Sequence, residues 1–83
     1  MIDDTLVARL RCPETGQKMR RAPENVMREL HSRQADGRLR DVAGNTVSQR
    51  IEGGLIREDG ARVFPIRNGI PVMLPDEAIA FSD

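Results

Sequence analysis

The sequence predicts a small α+β protein in which an antiparallel sheet of hairpins packs against one helix of about residues 24–35. The first observation is an apolar stripe at helical spacing, formed by Val26, Met27 and Leu30. The second is a series of tight-turn dipeptides further along the chain, namely Gly44-Asn45, Asp59-Gly60 and Asn68-Gly69. The third is a length of 83 residues, which accommodates one domain over 1–83.

Helices are predicted at three places. The central one begins after Pro23, which suits a first helical turn, and ends at Gly37, which suits a C-terminal cap. The N-terminal segment "IDDTLVARL" places Ile2, Leu6 and Leu10 four residues apart, which indicates a short helix. The C-terminal segment "PDEAIAFSD" either forms a short helix capped by Asp76 or stays without regular structure.

The strands are predicted in pairs around the three turns. They are "RLRDVA" with "TVSQRI", "GLIRE" with "ARVFPI", and "FPIR" with "IPVML". Pro65 and Pro71 lack a backbone donor, which favours a sheet edge or an irregular strand end for both. In the second hairpin, a two-residue loop would place Arg57 opposite Arg62, whereas a three-residue loop with a bulge would separate these like charges.

Composition narrows the function classes. The chain is 39% hydrophobic and carries 13 basic and 13 acidic residues, so no net charge attracts it to nucleic acid or to an anionic membrane. No apolar run approaches the roughly 18 residues of a membrane span, and the first residues are acidic where a signal peptide would be basic. With a single cysteine, an internal disulfide is impossible. These features predict a cytoplasmic protein without membrane contact.

Two blocks of sequence carry a resemblance to a known family. The front block contains Cys12-Pro13, Gly16 and Met19, and the back block is the uninterrupted run 64–74, "FPIRNGIPVML". In these blocks the chain resembles the tRNA-methyltransferase-activator subunit family and its short bacterial relatives. Relative to those short forms, residues 20–53 are an insertion that holds the central helix and the first hairpin.

The resemblance implies a zinc-ribbon-like fold that has lost its metal. The positions that match the two cysteine pairs of metal-binding members are Cys12, Thr15, Arg57 and Gly60, of which only one is a cysteine. We therefore expect no metal and no cofactor. Our hypothesis is that the inserted segment replaces the stabilisation given by zinc, through apolar residues that pack on the shared sheet, namely Val26, Met27, Leu30, Leu39, Val42, Val47 and Ile51.

The sequence does not favour an enzyme. A nucleophile would have to be Cys12 with His31 as its base, and no residue is evident that would orient the imidazole. His31 borders the apolar stripe of the central helix, and this position is typical of a partly exposed surface histidine. Cys12 is expected to be a small buried residue, with a reactive or intermolecular thiol as the alternative. No catalytic residue is assigned.

The resemblance implies a small non-catalytic accessory protein that binds and stabilises or activates a partner enzyme, namely an S-adenosylmethionine-dependent methyltransferase. The partner-binding residues would be Phe64, Pro65, Ile66, Gly69, Ile70, Pro71, Val72, Met73 and Leu74. Nucleic acid would then be contacted only indirectly.

The alternative is an RNA-binding or ribosome-associated module that uses the basic residues around the first turn, Arg9, Arg11, Lys18, Arg20 and Arg21. The chain has only two aromatic residues, so base stacking is not expected.

Overall fold

The computed structural model describes residues 4–81, and the order of its elements follows the predicted change from helix to hairpins. Helix α1 spans Asp4–Arg9, strand β1 Met19–Arg21 and helix α2 Glu24–Ala35. Strands β2 (Gly53–Arg57), β3 (Arg62–Arg67) and β4 (Ile70–Pro71) follow, then a 3₁₀ helix at Pro75–Glu77 and strand β5 at Ile79–Ala80. Ile2, which contributed to the prediction of the first helix, lies outside the described residues. Within residues 4–81, no helix is long and apolar enough to cross a membrane.

All strand pairs in the described part of the chain are antiparallel. The order is β1-β2-β3-β4, and β5 also pairs with β3, so that β4 and β5 share one side of that strand. The predicted α+β class with an antiparallel sheet of hairpins is therefore confirmed. The central helix has the predicted bounds, because Pro23 is its N-cap and Gly37, at φ 70°, follows its last turn.

The sheet is the middle layer of the molecule, because alternate residues of its strands point to opposite faces. One face forms a core with α1 and the cysteine turn, and its buried residues are Val7, Cys12, Met19, Leu55, Phe64, Ile66 and Ala78. The other face packs against α2 and the segment after it, and its buried residues are Val26, Leu30, Leu39, Val47, Ile51, Ile56, Val63 and Ile79. Met27 is partly buried against the second core, whereas Val42 is exposed. Six of the seven residues proposed to pack on the sheet therefore do so.

The first predicted hairpin is not part of the sheet. Around Gly44-Asn45 the structure has only an isolated bridge between Arg40 and Thr46, together with a turn in which the Asp41 carboxylate accepts the Asn45 N–H at 2.9 Å. Leu39 and Val47 are buried against α2, while the N–H groups of Val42 and Ala43 donate to the Ala78 and Asp76 carbonyls instead of to an opposing strand of a hairpin. A closed surface turn results.

The position of Pro65 was predicted wrongly, because β3 is an interior strand rather than an edge. The Glu52 N–H donates to the Ile66 carbonyl and the Val72 N–H donates to the Pro65 carbonyl, so Pro65 faces the side that β4 and β5 share. β5 pairs with residues 62 and 63 and β4 with residues 66 and 67. The proline nitrogen thus lies in the gap between these two short strands, where no ladder donor is required.

The second hairpin resolves the open question of register. Ile56 pairs with Val63, and residues 58–61 connect the two strands. Continued by one residue, this register opposes Arg57 to Arg62, as the two-residue alternative required. Each arginine also pairs with a residue of a further strand: Arg57 with Met19 of β1, and Arg62 with Ala80 of β5.

Candidate functional site

The predicted partner-binding block is presented by a tight hairpin that joins β3 to β4. Arg67 pairs with Ile70, and the two loop residues Asn68 and Gly69 have φ values of 53° and 74°. Two positive φ angles in a two-residue loop define a type I′ turn, which the Asn-Gly pair favours. The Glu52 carboxylate accepts the N–H groups of Asn68 and Gly69 at 2.6 and 3.1 Å. The turn is therefore held from outside the hairpin as well as by its own sequence.

Side chains after this turn divide into an inward and an outward set. Met73 packs against the first core, while Pro71 and Val72 are half-buried. Ile70 is 66% exposed and Leu74 is 56% exposed. We call these two residues the apolar ridge. Isolated exposed aliphatic residues are common on protein surfaces, but here two of them lie within one five-residue segment.

The outer edge of β4 is unsuited to pairing with another strand. Val72 donates its N–H to Pro65 of β3, so the backbone of the preceding residue, Pro71, faces away from the sheet. Proline has no N–H, and the outward edge therefore lacks a donor at this position. A partner would contact the side chains of the ridge rather than extend the sheet.

The remaining residues of the predicted block support this surface from inside. Phe64, Pro65 and Ile66 are buried in β3. Phe64 and Ile66 belong to the first core, so neither side chain is available to a partner in the folded protein. Gly69 is part of the turn itself. Of the nine predicted residues, only Ile70 and Leu74 are exposed, and Val72 is half-buried between them in the chain.

A second feature is the corner where the turn after α1 meets the β2-β3 turn. Cys12 donates its N–H to the Gln17 carbonyl and accepts the Gly16 N–H at its own carbonyl, each at 2.8 Å. Its sulfur lies 3.8 Å from Nη1 of Arg57, a residue that is itself only 8% exposed. Burial alone would raise the pKa of the Cys12 thiol, but hydrogen bonds from Thr15, the Glu14 backbone and Arg57 lower it below its ordinary value.

Asp59 balances the charge of the buried guanidinium. It accepts hydrogen bonds from Nε and Nη2 of Arg57 at 2.8 and 2.7 Å, which is the two-point geometry that arginine favours with carboxylates. These bonds, together with the Ala61 N–H, hold the pKa of Asp59 well below its usual range, and they raise the pKa of Arg57. The Gln17 amide donates to the Asp59 carboxylate at 3.3 Å and accepts the Asp59 N–H at 3.1 Å. The two turns are thereby tied together across 42 residues of sequence.

The four positions matched to cysteine pairs therefore lie at one corner, where Arg57 forms a salt bridge with Asp59. Cys12, Thr15 and Arg57 are in contact, and Gly60 closes the β2-β3 turn by donating its N–H to the Arg57 carbonyl at 2.7 Å. Among residues 4–81, no three His, Cys, Asp or Glu side chains are placed to hold a metal ion. His31 is far from this chemistry, because its Nε2 contacts the Ile51 carbonyl at 2.9 Å on the α2 side of the sheet.

A groove of about 610 Å³ lies between β1 and α2, and no motif in the sequence indicates it. Arg20 lines one wall, while Glu29 and Arg33 of α2 line the other. Arg33 bonds Glu29 at 2.8 Å and stacks 5.4 Å from the centre of the Phe81 ring. Glu29 and Arg33 therefore bond to each other across the surface of α2. None of the residues that line the groove is a cysteine, serine or histidine. The groove offers no nucleophile.

Comparison with known proteins adds two relatives, while no family model matches the chain. Over 35 residues it is 51% identical to the UPF0434 protein GDI0182 of Gluconacetobacter diazotrophicus, a stretch that covers 42% of this chain and 56% of that protein. The match thus spans little more than half the length of the curated relative. The solution NMR structure of XF2673 from Xylella fastidiosa has a TM-score of 0.75 and 31% identity, covering 99% of this chain and 91% of that one. The chain belongs to the same protein family as XF2673.

These relatives overturn the resemblance to the tRNA-methyltransferase-activator family, which was wrong. The curated relative carries the UPF0434 name and not that of an activator subunit. The short blocks around Cys12 and residues 64–74 were matched without the central third of the chain, whereas the Xylella structure aligns with nearly the whole of it, residues 20–53 included. Neither relative's name denotes an enzymatic activity.

Proposed function

We propose that the chain is a small non-catalytic binding module of the cytoplasm that docks on a partner protein through the apolar ridge. The exposure of Ile70 and Leu74 on a rigid hairpin is the observation that carries this proposal. The methyltransferase named in the sequence analysis depended on the overturned resemblance and is not part of it. A groove lined by aliphatic or aromatic side chains on the partner is the complementary surface.

The backbone supports docking by side chains in preference to strand addition. The Asn68-Gly69 turn is fixed by Glu52, and Met73 anchors the segment after β4 to the core. A partner that fills its groove with the ridge therefore orders little additional backbone, which lowers the entropic cost of binding. Pro71 leaves the outward edge without a donor and so disfavours sheet extension.

The size of the effect follows from the area that the ridge still exposes. Full burial of a leucine or isoleucine side chain contributes about 1.5–3 kcal/mol, and Ile70 and Leu74 have more than half of that area left to bury. Together they would contribute about 3 kcal/mol, which corresponds to a roughly hundredfold change in the dissociation constant.

The test is affinity capture with the wild-type chain and three charged variants, followed by reconstitution with the purified partner. Ile70→Asp and Leu74→Asp should fold normally, because both side chains meet water in the free protein, but should lose the captured protein. Leu6→Asp is the matched control, since Leu6 is a 44% exposed aliphatic residue on α1. Capture that survives both ridge variants, or that is lost equally with the control, would show that the ridge is not the docking surface.

A further inference from the structure

The N-terminal ribbon carries three cations on one face. We use this term for residues 11–12 and 18–20, where Arg11 pairs with Lys18 across an antiparallel bridge and β1 continues from Met19. Directly paired residues point to the same side, and alternate residues of a strand share a face. Arg11, Lys18 and Arg20 therefore project together and all are exposed. The opposite face of the ribbon is closed, because Cys12 and Met19 are buried in the first core.

Arg11, Lys18 and Arg20 have no carboxylate partner among the described residues, in contrast to four other arginines that are not buried. Elsewhere Arg28 pairs with Glu24, Arg33 with Glu29, Arg38 with Asp36 and Arg67 with Glu77. Arg11 donates instead to the Ala8 and Leu10 carbonyls at 3.0 Å through Nη1, and its other guanidinium nitrogens remain available. Three cations without a carboxylate partner therefore share one face of the ribbon.

The ribbon is a rigid support for these side chains. Its turn is closed by the bond between the Cys12 N–H and the Gln17 carbonyl, and Gln17 is in turn held by Asp59. Acidic residues near this face reduce the local potential. Glu58, the residue after β2, donates its N–H to the Lys18 carbonyl, and Glu29, which is paired with Arg33, lines the groove that Arg20 also lines. No ion pair forms between Lys18 and Glu58 among the described residues.

We propose that this face binds the phosphate backbone of a nucleic acid strand. Two positions along a strand are about 6.7 Å apart, so the cations form a short row that suits a linear polymer with regularly spaced charges. Insertion into a lipid surface would need apolar side chains on the same face, and those of the ribbon, Cys12 and Met19, are buried beneath it. Phe64 is buried and Phe81 stacks on Arg33, so the contact is with phosphates and not with bases.

The magnitude is set by counterion release. Three phosphate contacts on a single strand predict a slope of about −2 for the logarithm of the association constant against the logarithm of salt concentration. Affinity should therefore fall roughly 20-fold between about 50 and 200 mM salt. Loss of one contact should reduce the slope by about 0.7, and the affinity should then fall only about 7-fold over the same range.

The experiment is fluorescence anisotropy of a labelled oligouridylate titrated with the wild-type chain and with Arg11→Gln, Lys18→Gln and Arg20→Gln. Each variant should weaken binding and reduce the salt slope, and Glu58→Gln should strengthen binding by removing a repelling carboxylate. Arg28→Gln is the matched control, because Arg28 is equally a surface arginine but is paired with Glu24 on α2. Leu74→Asp should bind normally, which separates this surface from the apolar ridge.

Several results would overturn the proposal. They are no measurable binding of the oligouridylate, a salt slope that none of the three variants changes, and an equal loss of affinity with Arg28→Gln. Displacement of the oligonucleotide by polyglutamate at matched charge would identify a general acidic-peptide surface instead. Displacement by anionic vesicles would identify a membrane surface. Thermal unfolding of each variant, followed by circular dichroism, confirms that all are compared in the folded state.

Discussion

Gly54 tests the packing between the sheet and α2. A Cβ atom at this position would lie 2.8 Å from Cγ1 of Val63, 3.4 Å from the Met27 sulfur and 3.6 Å from the Ala22 Cβ. Val63 is fully buried and β-branched, so its methyl group cannot rotate away without a clash elsewhere. Gly54→Ala therefore overpacks the second core, and overpacking of this kind costs about 1–3 kcal/mol.

The neighbouring glycine is the matched control. A Cβ atom at Gly53 would meet only Cδ1 of Ile66, at 3.7 Å, which is an ordinary contact with the end of a flexible side chain. For a domain of this size, a loss of about 2 kcal/mol lowers the melting temperature by roughly 8–16 °C. Gly54→Ala should show that drop in thermal unfolding followed by circular dichroism, whereas Gly53→Ala should stay within about 0.5 kcal/mol of wild type. Equal melting temperatures for the two variants would refute the close approach of Val63 and Met27 to Gly54.

Three further predictions address the core, the corner and the metal. Leu30→Asp places an unpaired charge in the fully buried core beneath α2 and should cost about 4 kcal/mol or more, so that an unchanged melting temperature would show α2 to be peripheral. Hydrogen bonds from Arg57 lower the pKa of Asp59, so the ionised carboxylate stabilises the folded state above about pH 4, and this contribution is lost as the pH falls below that value. The free energy of unfolding that Asp59→Asn loses, measured by urea unfolding, should therefore shrink between about pH 7 and pH 2. A difference that stays constant over this range would contradict the salt bridge. The purified protein should contain no stoichiometric zinc and should keep its melting temperature in a strong chelator, and elemental analysis that finds one zinc per chain would disprove this.

Local signals in the sequence were sufficient for the elements whose geometry is set by neighbouring residues. The bounds of α2 follow from Pro23 and Gly37, which fix the backbone at the two ends of the apolar stripe. The Asn68-Gly69 turn follows from the low cost of positive φ at those two residues. Alternation along an extended segment separates Met73 from Ile70 and Leu74, but only the structure shows that Met73 is the residue that packs on the core.

Features that depend on distant residues could not be predicted in the same way. Pro65 indicated an edge strand, and only the lengths of β4 and β5 explain how it fits inside the sheet. Glu52 holds a turn 16 residues later in the chain, and no spacing rule connects them. The separate failure of the family resemblance has a similar origin, because the matched blocks cover the first turn and the β3-β4 hairpin and leave out residues 20–53. Nearly full-length alignment with the Xylella structure supplied the missing central third.

The corner around Cys12 shows why a single cysteine is stable at a position that suggests a metal ligand. Two turns converge there, and a metal would join them by binding a thiolate from each. Arg57 instead brings a permanent positive charge, Asp59 neutralises it through two short hydrogen bonds, and the Cys12 sulfur accepts the remaining Nη1 contact at 3.8 Å. Gln17 then links the Asp59 carboxylate back to the first turn. Each charged group in this arrangement has its partner within the protein, and the thiol is a small buried side chain that also accepts a weak hydrogen bond.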